Sequence, residues 1–148
     1  MKIALASDHA GFALKQEFDH RLAVAGHAVL DLGTYNEEPV DYPDVAERLG
    51  KALLAGEAAR GILICGSGVG ACVAANKLPG IRAGVCHDTY SARQGVEHDD
   101  LNVLCLGARV VAPEWAWVLA QTFLAANFSG EERHRRRLEK VAKLEKRQ

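Results

Sequence analysis

Five short apolar runs, each followed by a segment of helix-forming composition, alternate along the chain. This alternation limits the fold more than any other feature. The runs are 2–6, 27–32, 61–65, 82–86 and 102–106. Between them, 11–25 places Phe12, Leu14, Phe18 and Leu22 at mostly helical spacing, and Asp41-Tyr42-Pro43 opens a helix to about Gly56. A third helix follows the loop 66–70 to about Lys77, a fourth is capped by Asp88 or Thr89 and runs to about Glu97, and Pro113 lies in the first turn of a fifth. Strands that are apolar at successive positions are covered on both faces. The expected fold is therefore α/β: a doubly wound, Rossmann-like three-layer sandwich around a five-stranded parallel sheet.

A chain of 148 residues suits one domain, 1–148, and leaves no room for a second. No apolar stretch is long enough to cross a bilayer, and Met1–Leu5 is too short a run for a signal peptide, so a cytoplasmic protein is expected. Four cysteines without a Cys-x-x-Cys pair argue for reduced thiols rather than a disulfide framework or a zinc site. The His and acidic residues of 97–100 are adjacent in sequence and do not place three ligands on one side, so no metal is expected there.

In a doubly wound sheet the ligand sits beyond the carboxyl ends of the strands. That directs attention to Asp8 and His9, to Cys65 through Gly70, and to His87 and Asp88. The stretch Ile62-Leu63-Ile64-Cys65-Gly66-Ser67-Gly68-Val69-Gly70 is the most informative. An apolar strand ends in a thiol and breaks into a glycine-rich loop that opens a helix, so free backbone N–H groups face the position where an anion would sit. A thiol at a helix N-terminus is favoured as thiolate, which suits Cys65 as base or nucleophile. Cys72, Cys86 and Cys105 lack that placement and read as packing residues. The same loop also matches a dinucleotide fingerprint through Gly66, Gly68 and Ala71, with Asp88 one strand further on, so a nucleotide and a phosphosugar both remain open.

Charge is unevenly distributed. Residues 130–148 hold eight Lys/Arg against four Glu, a net of +4, which leaves −5 for 1–129 out of the total of −1. In this basic helix Arg133, His134 and Arg137 share a face that could grip a phosphate, while Leu138, Val141 and Leu144 form an apolar stripe that a partner subunit could take. No aromatic residue interleaves the basic ones, which argues against nucleic acid.

Ordered blocks along nearly the whole chain resemble the ribose-5-phosphate isomerase B family: Ser7-Asp8-His9-Ala10-Gly11-Phe12, Asp41-Tyr42-Pro43, Gly61 through Gly70, Ala74-Ala75-Asn76-Lys77, Gly80-Ile81-Arg82-Ala83, Asn102-Val103-Leu104 and Gly107-Ala108-Arg109-Val110. The resemblance implies a metal-free, cofactor-free aldose–ketose isomerase of the non-oxidative pentose phosphate pathway. It would interconvert D-ribose 5-phosphate and D-ribulose 5-phosphate through a cis-enediolate. The wider family extends to allose and galactose 6-phosphates. The resemblance assigns catalysis to Cys65 as base, Ser67 with the amides of Gly66, Gly68, Val69 and Gly70 at the oxyanion, Asp8 at the sugar hydroxyls and His98 in ring opening. Some relatives use a glutamate where this chain has Ala71. Substrate contacts fall to Tyr42 and Asp99, and phosphate contacts to His9, Arg109, Arg133, His134 and Arg137. It further implies a homodimer, with pairing into tetramers left open, whose C-terminal helix (130–148) extends to the partner and completes a shared site. Asp99 departs from the asparagine common in the family and cannot donate a hydrogen bond when ionised.

Overall fold

The structure, a computed structural model, describes residues 1–146; residues 147 and 148, the end of the expected C-terminal helix, lie outside the described residues. The strands are β1 (Lys2–Ser7), β2 (Ala28–Asp31), β3 (Arg60–Cys65), β4 (Ala83–Val85) and β5 (Val103–Gly107). The helices are α1 (Phe12–Val24), α2 (Tyr42–Leu54), α3 (Val69–Ala75), α4 (Thr89–Asp99), α5 (Pro113–Ala125) and α6 (Glu132–Glu145). All strand pairs are parallel, in the order β2-β1-β3-β5-β4.

Strand alternation sorts the core into two layers. Ile3, Leu5, Ile62, Ile64, Leu104 and Leu106 pack with α1, α4 and α5, whereas Ala4, Ala6, Leu63, Cys65, Val103 and Cys105 face α2 and α3. The helices change sides where the chain changes direction across the sheet, as right-handed crossovers require. From β1 the chain turns one way, through α1 to β2; from β3 it turns the other way, through α3 to β4. The carboxyl ends of β1 and β3 therefore border the switch-point crevice.

One expectation changes. Helix α3 ends at Ala75 instead of Lys77, because Leu78 donates its N–H to Ala75 and a turn leads to Gly80 at φ +88°. Helix α6 packs on its own chain. Its stripe of Leu138, Val141 and Leu144 lines a groove of about 350 Å³ with Ile81 and Ala83 at the β4 edge, and Glu145 accepts the Gly80 N–H at 3.1 Å.

Lys15 ties α1 to the end of β2. It is 2% exposed, and its Nζ lies 2.6 Å from both carboxylate oxygens of Asp31, whose Oδ1 also accepts the Gly33 N–H at 2.9 Å. Lys15→Met is expected to destabilise the fold by about 3 kcal/mol, the low end for breaking a buried pair because Asp31 is one-third exposed. A lowered urea midpoint at unchanged slope would register it.

Candidate active site

At the end of β1, Asp8 is almost buried and its Oδ1 caps the following turn by accepting the Gly11 N–H at 3.1 Å. His9 comes next, and its Nδ1 accepts the Val40 N–H at 3.2 Å. An acceptor at Nδ1 leaves the proton of the neutral ring on Nε2, so His9 offers a donor there. Val40 belongs to the loop after β2, and nothing in the sequence marked its amide as a partner.

At the end of β3, Cys65 is 5% exposed and its Sγ accepts the Gly68 N–H at 3.0 Å. Gly68 stands at φ +84°, a conformation that suits glycine, where the loop turns into α3. Val69 gives its N–H to Ser67 Oγ at 3.2 Å. Two of the four amides expected to face an oxyanion, those of Gly68 and Val69, are thus directed to the thiol and the hydroxyl. The turn after β5 clasps the loop: Ala108 N–H donates to the Cys65 carbonyl at 2.8 Å and Arg109 N–H to that of Gly66 at 3.0 Å. Arg109 lies beside Gly66.

Tyr42 opens α2 and lies over Gly70, where a Cβ would stand 2.9 Å from ring atom Cζ. Gly70→Ala is therefore expected to tilt the phenol off the loop and raise KM about tenfold, with little change in urea stability, because an exposed ring can yield.

Together Asp8, His9, Tyr42, Cys65, Gly66, Ser67, Gly70 and Arg109 line one cleft of about 410 Å³. His98, Asp99, Arg133, His134 and Arg137 are elsewhere. Helix α4 runs back from the carboxyl end of β4 to the start of β5, so His98 in its last turn lies at the amino edge of the sheet, about 15 Å along the helix from the cleft end. Asp99 lines the α6 groove. Arg133 and Arg137 are exposed, and Arg133 Nε meets Glu131 at 2.9 Å. His134 differs from the expected phosphate contact: it is 1% exposed, bonds Ser129 Oγ through Nδ1 at 2.7 Å and stacks on His98 with ring centroids 4.1 Å apart. Gln94, one turn before His98, brings its Nε2 within 2.9 Å of His98 Nδ1. The i, i+4 spacing of Gln94 and His98 was readable in the sequence.

The remaining candidates of the strand ends are structural. His87 Nε2 accepts the Gly107 N–H at 3.1 Å. Asp88 caps α4 by accepting the Ser91 N–H at 2.7 Å, at the end of a strand separated from β3 by β5. That placement removes it from a dinucleotide site built on the Gly66–Ala71 loop. Among the other cysteines, Cys86 is pushed up to about 11, chiefly by burial, and Cys105 is pushed well up, first by the Cys72 thiol and then by burial. Cys72, half-buried on α3, is drawn down to about 7 by a hydrogen bond from Cys105. Composition gave no hint of this lowered thiol.

The family model described as Ribose/Galactose Isomerase matches residues 3–141. The chain belongs to this family. It is 45% identical over 146 residues, 99% of its length and 97% of the relative's, to ribose-5-phosphate isomerase B of Escherichia coli. The ribose-5-phosphate isomerase B structure from Clostridium thermocellum superposes with a TM-score of 0.97 at 47% identity, covering 99% of each chain. That from Mycoplasma genitalium, with bound ribulose 5-phosphate, superposes with a TM-score of 0.91 at 40% identity, covering 99% of this chain and 97% of the other. Among the described residues no helix is long and apolar enough to cross a membrane.

Proposed function

We propose that the chain is an aldose–ketose isomerase that interconverts D-ribose 5-phosphate and D-ribulose 5-phosphate through an enediolate. The observation that carries this reading is the Cys65 thiol, bonded to the Gly68 amide and opening on a cleft of sugar-phosphate size between His9 and Arg109. Its support from comparison is the ribulose 5-phosphate bound in the Mycoplasma genitalium relative.

Cys65 takes the C2 proton of the open aldose and returns a proton at C1. Ser67 and the amides of Gly66 and Gly70 face the oxygens that gain charge between these steps, and fixed donors of this kind contribute about 3 kcal/mol each. Asp8 moves protons at the sugar hydroxyls and Tyr42 covers the chain. The Nε2–H of His9 and the guanidinium of Arg109 hold the phosphate. His98, Asp99, Arg133 and Arg137 serve the cleft of a second copy. Their separation from Cys65 within one protomer supports a homodimer with shared sites.

Exchange of the ribose 5-phosphate C2 proton with D2O is the direct test, and its absence in the native enzyme would remove this reading. Sharing of the site has its own measurement. Cys65→Ala and His98→Ala, each inactive alone, are expected to regain activity when refolded together, through mixed dimers with one intact site. Asp99, an exposed acceptor at the mouth of the α6 groove, favours a second substrate with an additional hydroxyl, so rates on allose and galactose 6-phosphates belong beside the pentose rate.

A further inference from the structure

If His98 takes part in opening the furanose ring, its imidazole has to meet the ring oxygen in one orientation and one tautomer. The corner formed by α4 and α6 specifies both. Gln94 Nε2 can only donate, so at 2.9 Å it makes His98 Nδ1 an acceptor and leaves the ring proton on Nε2. Protonating Nδ1 would set two donors against each other. The other nitrogen, Nε2, is then a donor for an oxygen that gains negative charge.

The plane of the ring is set from α6. His134 lies against His98 with an interplanar angle of 26°. It is 1% exposed, and its Nε2 is buried without a hydrogen-bond partner among the described residues. Ser129 holds it in place: the hydroxyl meets His134 Nδ1 at 2.7 Å and accepts the Glu131 N–H at 3.3 Å, while the Ser129 N–H donates to the Glu97 carbonyl at 2.9 Å. That last bond ties the start of α6 to the turn of α4 that bears His98. Burial first, then His98, Arg133 and Arg137, push His134 below the usual histidine range, with Glu131 opposing, so the stacked ring is neutral. A ring enclosed in this way presents no nitrogen to a phosphate.

We propose that Gln94 and His134, the latter held by Ser129, are positioning residues for His98: the amide fixes its tautomer and the stack fixes its plane, so that Nε2–H points at the ring oxygen of a cyclic aldose phosphate. This rests on the assignment of His98 to ring opening. In that step the C1 hydroxyl loses its proton, the C1=O bond forms, the bond from C1 to the ring oxygen breaks, and the ring oxygen takes up a proton. Nothing is oxidised or reduced, and His98 stabilises the oxygen as its charge grows.

Ribulose 5-phosphate separates this step from proton transfer at carbon. Its terminal hydroxyl is esterified, it stays open, and exchange of its C1 protons with D2O needs no ring chemistry. Gln94→Leu and His134→Ala are expected to slow conversion of ribose 5-phosphate about tenfold or more, while C1 exchange of ribulose 5-phosphate stays within about twofold of the native rate. Inhibition by inorganic phosphate should not change. His134→Phe keeps a flat neutral ring against His98 and should retain most of the aldose rate, which also guards against a folding defect in the alanine variant. In ¹⁵N spectra the His98 signals should report a proton on Nε2 in the native enzyme and a mixture of tautomers in Gln94→Leu. Equal loss of both reactions, loss of phosphate inhibition, or no change in either reaction would overturn the proposal. Failure of the native enzyme to exchange either sugar would instead overturn the isomerase reading.

Discussion

Replacing Cys65 with alanine is expected to lower isomerisation and solvent exchange by on the order of 10²–10⁴-fold, the usual range for a positioned base. Position 71 holds alanine, fully buried, so the loop offers no carboxylate to take over. The fold should survive. Cys65 is small, sits at a strand end, and leaves at most a sulfur-sized gap, a loss of about 1 kcal/mol. Inhibition by inorganic phosphate should persist, because His9 and Arg109 are untouched. The control is Cys72→Ala. Cys72, half-buried and drawn down to about 7, should alkylate faster than the nearly buried Cys65, yet it is not among the residues lining the cleft. Its removal should abolish that labelling and leave the exchange rate alone. Loss of exchange in Cys72→Ala and not in Cys65→Ala would reverse the assignment of the base.

Gly107→Ala should be the next most damaging change. A Cβ there would stand 2.6 Å from the Ser67 carbonyl oxygen and 2.7 Å from its carbon, both backbone atoms that no rotamer can move aside. The end of β5 and the 66–70 loop would have to part. We expect about 1–3 kcal/mol of destabilisation from the clash. The fall in kcat should be out of proportion to it, about 10²-fold, since displacements near 1 Å are enough to misalign reacting groups. Urea titration and steady-state rates on the same preparation separate the two effects. Gly26→Ala gives the comparison. Gly26 has φ +87° but open space where the Cβ would go, so it should lose about 1 kcal/mol of stability and no activity.

Much of this architecture is written in local pattern. The ends of β1 and β3 could be placed because a strand buried on both faces announces itself as an apolar run, and the residues that break it are the residues of the cleft. Lateral order is different. Nothing in the run 102–106 says that it inserts between β3 and β4, yet that insertion carries Asp88 away from the loop and leaves a fingerprint without its acid. His134 was misplaced for a related reason. Among arginines on a polar helix it reads as exposed, and only the packing of α6 on α4 buries it against a ring 36 positions earlier. The two loop amides that turn toward Cys65 and Ser67 were equally hidden, because their direction follows from the backbone path of the 66–70 loop and not from residue type.

The distance between the Cys65 cleft and the His98 corner has a consequence for how the enzyme responds to its own concentration. On the proposed arrangement a separated protomer owns two half-sites and no working one, so turnover depends on subunit association by mass action. Specific activity should fall on dilution through the dimer dissociation constant. Substrate, by binding across the junction, should draw the subunits together and shift that threshold to lower protein concentration.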